Sequence, residues 1–169
     1  MKRRVFLVGP PAAGKTTLGK RWAKELGVPF YDTDEEVERR TGLTPAAWLL
    51  RGEEAFRAVE RSVVEALLAE GAWGLWATGG GTLTQAKLAE RLWREGYIVW
   101  IDPPSEWLYE RLEQGAAGRP LLAQQPPEKW LAFLEARRPF YRQAHLHWNP
   151  ARIPEERLLY WLRRLFARL

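Results

Sequence analysis

A short apolar run, Arg4–Val8, leads directly into Gly9-Pro10-Pro11-Ala12-Ala13-Gly14-Lys15-Thr16, after which Leu18, Trp22 and Leu26 recur at every fourth position. This succession of buried strand, glycine-bounded loop and amphipathic helix constrains the fold more than any other feature of the chain. The loop fits G-x-x-x-x-G-K-[ST], a pattern whose glycines let successive backbone N–H groups curl inward onto phosphate oxygens. The helix starting at Lys15 adds the positive end of its dipole. Lys15 can reach β- and γ-phosphates, and the Thr16 hydroxyl can ligate Mg²⁺. The bland alternative is a Gly/Pro turn with a stray lysine. The strand before the loop and the helix after it argue for phosphate binding instead. The nucleotide set is then Ala12, Ala13, Gly14, Lys15, Thr16 and the adjoining Thr17, with ATP and Mg²⁺ as the expected ligands. The loop alone leaves the use made of the nucleotide open.

Strand and helix patterns alternate to the end of the chain, which predicts an α/β fold with a parallel sheet. Strands are expected at 28–31, 74–78, Tyr97–Ile101 and 145–148. Helices are expected from Thr44-Pro45 to about 51, then over 53–70, 84–95, 105–114, 127–143 and 157–169. At 169 residues a single domain, 1–169, is expected. The absence of cysteine excludes disulfides, thiolate metal sites and a cysteine nucleophile. No apolar run approaches the ~20 residues of a membrane span. The apolar stretch after Lys2-Arg3-Arg4 stops at Gly9, too short for a signal-peptide core. The expected location is cytoplasmic, with no membrane partner. Residues 137–169 carry eight arginines against Glu155 and Glu156, so the basic excess of the chain sits in its C-terminal part. That points to an anionic partner. The ten tryptophans fall mostly at apolar-periodic positions and read as packing, not as a stacking platform. His145 and His147 have no recognisable partner in the sequence and read as structural.

A metal beside a phosphate loop needs a carboxylate at the end of a neighbouring strand. Asp102, after Tyr97–Ile101, is one candidate. Asp32 is the other, two residues before Asp34. In an extended segment those two share a side, one able to serve a metal and the other a hydroxyl. Equally, the segment can be a helix start, with Thr33 or Asp34 as cap and Glu35 and Glu36 in the first turn; the two readings are compatible, because strand ends that run into helices are where such sites lie.

Beyond these readings, several stretches resemble the shikimate kinases. They are Phe30-Tyr31-Asp32-Thr33-Asp34, Gly52-Glu53-Glu54-Ala55-Phe56-Arg57-Ala58-Val59-Glu60, Thr78-Gly79-Gly80-Gly81, Arg119-Pro120-Leu121-Leu122 and Arg137-Arg138-Pro139-Phe140-Tyr141. They follow the phosphate loop in the family's order, and the resemblance runs from about residue 4 to 141. It implies a three-layer sandwich with a five-stranded parallel sheet of order 2-3-1-4-5, a substrate-binding helical segment at about 33–61 and a lid loop at about 115–125. It implies transfer of the ATP γ-phosphoryl to the 3-hydroxyl of shikimate. A monomer is expected, and no nucleic-acid partner, since Arg157, Arg164 and Arg168 on the outer face of the last helix read as solvated. By the same resemblance Arg57 and Arg137 hold the shikimate carboxylate, because a guanidinium forks across both oxygens. Gly79, Gly80 and Gly81 let the substrate approach the backbone. Asp34 orients the attacking hydroxyl, Asp32 and Thr16 serve Mg²⁺, and Lys15, Asp34 and Arg119 are catalytic. Arg152 is assigned to the nucleotide, in a region where the match thins. The family usually has a third glycine where this chain has Ala12, which alanine tolerates wherever φ is negative.

Competing interpretations follow from the same residues. Arg57 has Glu53 at i−4 and Glu60 at i+3 and could be a solvated helix residue. The glycine triplet could be a turn that needs positive φ. Arg119 could be a solvated loop residue. A gluconokinase-like kinase, a nucleoside monophosphate kinase, and a nucleotide-gated or nucleic-acid-binding module share parts of the pattern.

Overall fold

The computed structural model describes residues 3–114 and 125–167. Five parallel strands form one sheet in the order β2-β3-β1-β4-β5. They are β1 (Arg4–Val8), β2 (Phe30–Asp32), β3 (Gly74–Ala77), β4 (Tyr97–Ile101) and β5 (Leu146–Trp148). Helices cover both faces, as an all-parallel sheet requires. Alternation along β1 divides the core. Val5 and Leu7 join Trp22, Leu75, Val99, Ile101 and Trp148 on one face. Phe6 and Val8 join Phe56, Val64, Trp76, Ile98 and Trp100 on the other. Each such side chain contributes roughly 1.5–3 kcal/mol by leaving water.

Helix α1 (Lys15–Leu26) ends at Gly27, whose left-handed φ of 67° lets its N–H cap the last carbonyls. Helix α2 (Thr33–Thr41) starts directly where β2 stops. Helix α3 (Pro45–Leu50) has the cap read from Thr44-Pro45: Thr44 Oγ1 accepts from Ala47 N at 3.1 Å. Helices α4 (Glu53–Ala69) and α5 (Ala86–Glu95) follow, α5 after a 3₁₀ turn at Thr82–Thr84. Helix α6 (Ser105–Glu113) makes Ser105 its first residue, with Pro104 in the cap position expected for Ser105. Helix α7 (Pro127–Tyr141) and helix α8 (Glu155–Ala167) complete the layers. The last helix starts two residues before its expected point, with Glu155 and Glu156 favourable in its first turn.

The tryptophans divide: Trp22, Trp76, Trp100, Trp130 and Trp148 are buried, while Trp93 and Trp107 are exposed. No described helix is long and apolar enough to cross a membrane. Arg119 and nearly all of the expected lid loop lie outside the described residues.

Candidate active site

The loop after β1 and the ends of β2 and β3 open onto a cleft of about 440 Å³. Ala12, Gly14, Lys15, Thr16 and Thr17 line it from one side, and Asp32, Asp34, Thr78, Gly79 and Gly80 from the other. Ala13 is buried behind the loop, its N–H donated to the Pro10 carbonyl at 3.2 Å. Lys15 is buried and donates Nζ to the carbonyls of Gly9 at 2.7 Å and Pro10 at 2.8 Å. Ala12 departs from the negative φ expected of alanine: its φ is +68°. A residue with Cβ in the left-handed region costs on the order of 1 kcal/mol, so the family's glycine would sit there without strain.

Thr16 Oγ1 donates to Asp32 Oδ2. The other Asp32 oxygen caps α2, accepting from Asp34 N at 2.9 Å and Glu35 N at 3.2 Å. The alternatives for this segment therefore combine. Asp32 is both the strand-end carboxylate and the helix cap, in place of Thr33 or Asp34. Asp34 reaches the cleft from the first turn of α2, not from an extended segment. Among the described residues no cluster of three or more His, Cys, Asp or Glu could hold a metal. A hydroxyl beside one carboxylate at the foot of a phosphate loop suits Mg²⁺, which keeps water and phosphate oxygens among its ligands.

Asp102, the other metal candidate, is engaged elsewhere. Arg138 donates to its two oxygens at 3.3 and 3.5 Å, and His147 Nε2 lies 2.6 Å from Oδ2. This supplies the partner that sequence reading did not find for His147. His145 also has one: its Nδ1 accepts from Ile98 N at 3.0 Å, and its ring stacks on Trp93 at 4.7 Å.

Beyond Gly79 and Gly80 lies a cationic corner. An added Cβ at Gly81 would stand 2.1 Å from Arg57 Nη2 and 2.6 Å from Arg137 Nη1. The two guanidiniums thus converge on one spot of backbone. None of the three glycines has positive φ, so close approach, not turn geometry, requires the triplet. At Gly79 a Cβ would meet Glu60 Oε2 at 2.6 Å and Asp34 Oδ1 at 3.3 Å. Arg57 donates to Glu60 at 3.0 Å and stays near Glu53 at 3.4 Å. Glu60 is fully buried and also accepts from Thr82 at 2.9 Å and Gln85 at 2.7 Å, so it orients Arg57 toward the corner. Arg137 Nη1 and Tyr141 Oη both donate to the Gly80 carbonyl, at 2.8 and 2.6 Å.

One cleft residue escaped the sequence. Arg111 of α6 lines the cleft and donates Nη1 to Ala12 O at 3.0 Å. It lies 99 positions from its partner, and nothing in its helical spacing marks it. Arg152 is exposed in the turn after β5 and does not line the cleft.

A parallel 2-3-1-4-5 sheet, a phosphate loop at the end of its central strand, and a Thr–carboxylate pair beside the loop lysine define a phosphate-loop kinase. A family model described as Shikimate kinase matches residues 11–161. A shikimate kinase of Symbiobacterium thermophilum is 44% identical over 143 residues, covering 83% of this chain and 82% of the relative. One from Dechloromonas aromatica is 37% identical over 99% of this chain and 92% of its own. The structure of the Acinetobacter baumannii shikimate kinase in complex with shikimate superposes with a TM-score of 0.82 at 37% identity, covering 98% and 93% of the two chains. The chain belongs to the shikimate kinase family.

Proposed function

We propose that this cleft transfers the γ-phosphoryl of ATP to the 3-hydroxyl of shikimate. The observation that carries the proposal is the convergence of Arg57 and Arg137 over Gly81, across Gly79 and Gly80 from the phosphate loop. Arg57 Nε is buried and has no hydrogen-bond partner among the described residues, a donor that a substrate carboxylate satisfies. A nucleotide acceptor needs several cations for its own phosphate. Between residues 30 and 95 the other arginines with a recorded ion pair point elsewhere: Arg39 and Arg40 to Glu36, Arg40 also to Glu70, Arg91 to Glu95 and Arg94 to Glu90.

The phosphates of ATP lie against the loop N–H groups and the N-terminus of α1. Lys15 exchanges its loop carbonyls for phosphate oxygens, and Arg111 stands beside the loop. Thr16 and Asp32 would hold Mg²⁺, which when bound neutralises charge on the β- and γ-phosphate oxygens. Arg57 and Arg137 fork onto the shikimate carboxylate, and the side-chain-free triplet admits the ring. Asp34, between the two halves, accepts a hydrogen bond from the 3-hydroxyl, orients it in line and takes its proton. The hydroxyl oxygen bonds to the γ-phosphorus as the bridge to the β-phosphate breaks, and ADP leaves. Arg119, outside the described residues, is assigned to the γ-phosphoryl by its sequence motif.

Steady-state kinetics test the clamp. Arg57→Ala and Arg137→Ala should each raise the KM for shikimate at least tenfold with little change in the KM for ATP. Unchanged shikimate KM in both folded variants would overturn it.

A further inference from the structure

Helix α7 carries Arg137 and meets the rest of the molecule along one narrow stripe. Only Trp130, Leu134 and Tyr141 among its residues are buried. Pro139 lies inside it and cannot donate to the carbonyl four residues back, so the turn holding Arg137 and Arg138 lacks a helical hydrogen bond. The stripe Trp130, Leu134 and Tyr141, with Phe133 and Phe140 half-buried beside it, sets which face of the helix meets the sheet but leaves the fine placement of that turn short of one backbone bond. Polar contacts supply what is missing.

Arg138, the next residue, is fixed to the sheet. Its guanidinium forks onto Asp102 at 3.3 and 3.5 Å and lies over the Trp100 ring at 4.9 Å. Asp102 is itself pinned. It follows β4, its N–H donates to the Trp148 carbonyl at 2.9 Å, and its carboxylate meets His147 Nε2 at 2.6 Å. His147 pairs in register with Trp100 and stacks on it at 4.1 Å and 11°. Trp100 and Asp102, two apart along the chain, present both contacts on one side. Trp100 then packs against Tyr141 at 5.7 Å, whose hydroxyl shares the Gly80 carbonyl with Arg137.

We propose that Asp102, through Arg138 and supported by His147, is a positioning residue for Arg137 and thereby for the acceptor's carboxylate. The inference rests on the reading of Arg137 as half of the carboxylate clamp. Neighbouring side chains on a helix are separated by a fixed rotation of about 100°. Locking Arg138 to the sheet therefore sets the direction in which Arg137 leaves the helix. Asp102 is 8% exposed, so its carboxylate oxygens keep their partners only while Arg138 and His147 remain in place.

The test compares Arg138→Met, Arg138→Lys, Asp102→Asn, Arg137→Ala and the double variant Arg137→Ala/Arg138→Met. KM for shikimate, KM for ATP, kcat, Mg²⁺ requirement and Tm are measured for each. Arg138→Met and Asp102→Asn should raise the shikimate KM three- to tenfold while leaving the ATP KM and the Mg²⁺ requirement unchanged. Arg138→Lys should recover part of the loss, because a lysine keeps the charge but not the fork. The double variant should be no worse than Arg137→Ala alone, since Arg138 acts through Arg137. A lowered Tm with an unchanged shikimate KM in both Arg138→Met and Asp102→Asn would reduce the cluster to fold support and overturn the inference. Strictly multiplicative losses in the double variant would overturn it too. If Arg137→Ala itself leaves the shikimate KM unchanged, the clamp reading has failed instead.

Discussion

The substitution Gly81→Ala puts a methyl group where two guanidiniums already sit. The Gly81 backbone, with φ −111°, accepts alanine without strain, so the effect is one of contact. The new Cβ would lie 2.1 Å from Arg57 Nη2, 2.5 Å from Arg57 Cζ and 2.6 Å from Arg137 Nη1. Ordinary non-bonded contact is about 3.5 Å, so Arg57 must withdraw by more than about an ångström. Both obstructing groups are ends of flexible side chains, and Glu60 keeps its bonds from Thr82 and Gln85. The fold should thus lose little, within about 1 kcal/mol. Binding should lose more. A hydrogen bond to a charged group is worth about 1.5–3 kcal/mol, and each 1.4 kcal/mol is tenfold. Gly81→Ala should raise the shikimate KM roughly ten- to hundredfold, with Tm and the KM for ATP nearly unchanged. Coupled ADP-release kinetics and a thermal melt on the same preparation measure all three. A shikimate KM within twofold of wild type would refute the convergence of Arg57 and Arg137 at this spot.

Ala12→Gly should leave stability unchanged or raise it by up to ~1 kcal/mol, because φ +68° strains alanine and not glycine; a loss of ~0.5–1 kcal/mol in chemical denaturation, usual for glycine at ordinary positions, would contradict that geometry. Asp32→Asn should raise the Mg²⁺ concentration needed for half-maximal rate while ATP binding persists; if Asp102→Asn does so instead, Asp32 is the wrong carboxylate. Arg119→Ala should lower kcat by orders of magnitude with a modest change in ATP affinity, if its charge meets the transition state; wild-type kcat would remove it from the chemistry. Burial holds the pKa of His145 below its ordinary value, so the unfolded chain takes up the proton first; stability is full above about pH 6.5 and declines as pH falls below it. Melts from pH 8 to 5 should show a shallower decline in His145→Gln, and identical slopes would contradict the assignment.

The phosphate loop, the sheet and its helices were legible because strand runs, helical spacing and turn residues are local signals. Asp32 was legible as a strand-end candidate, but not as the cap of α2, since the acidic first turn after it also offered Thr33 and Asp34 for that place. The glycine triplet was legible as a candidate site, but the crowding that requires it was not. Which side chains crowd Gly81 depends on α4 and α7 meeting there, 24 and 56 residues away in sequence. Ala12 was misjudged because φ follows from the loop's closure, not from residue type. Arg111, Arg138 and His147 were overlooked as partners for one reason: each contact is made by tertiary packing between elements whose own patterns carry no trace of it. Arg138 lies next to Arg137 in the same motif, and only the structure ties it to Asp102.

A cleft that joins an ATP phosphate site to a clamp for a small hydroxylated carboxylate must select its acceptor by that carboxylate. The most direct measurement is ADP release with Mg²⁺-ATP and, in separate reactions, shikimate, gluconate and each nucleoside monophosphate. Turnover should be rapid with shikimate and slow or absent with the others, and the shikimate reaction should be lost in Lys15→Ala. Turnover with gluconate or a nucleoside monophosphate but none with shikimate would contradict that selection.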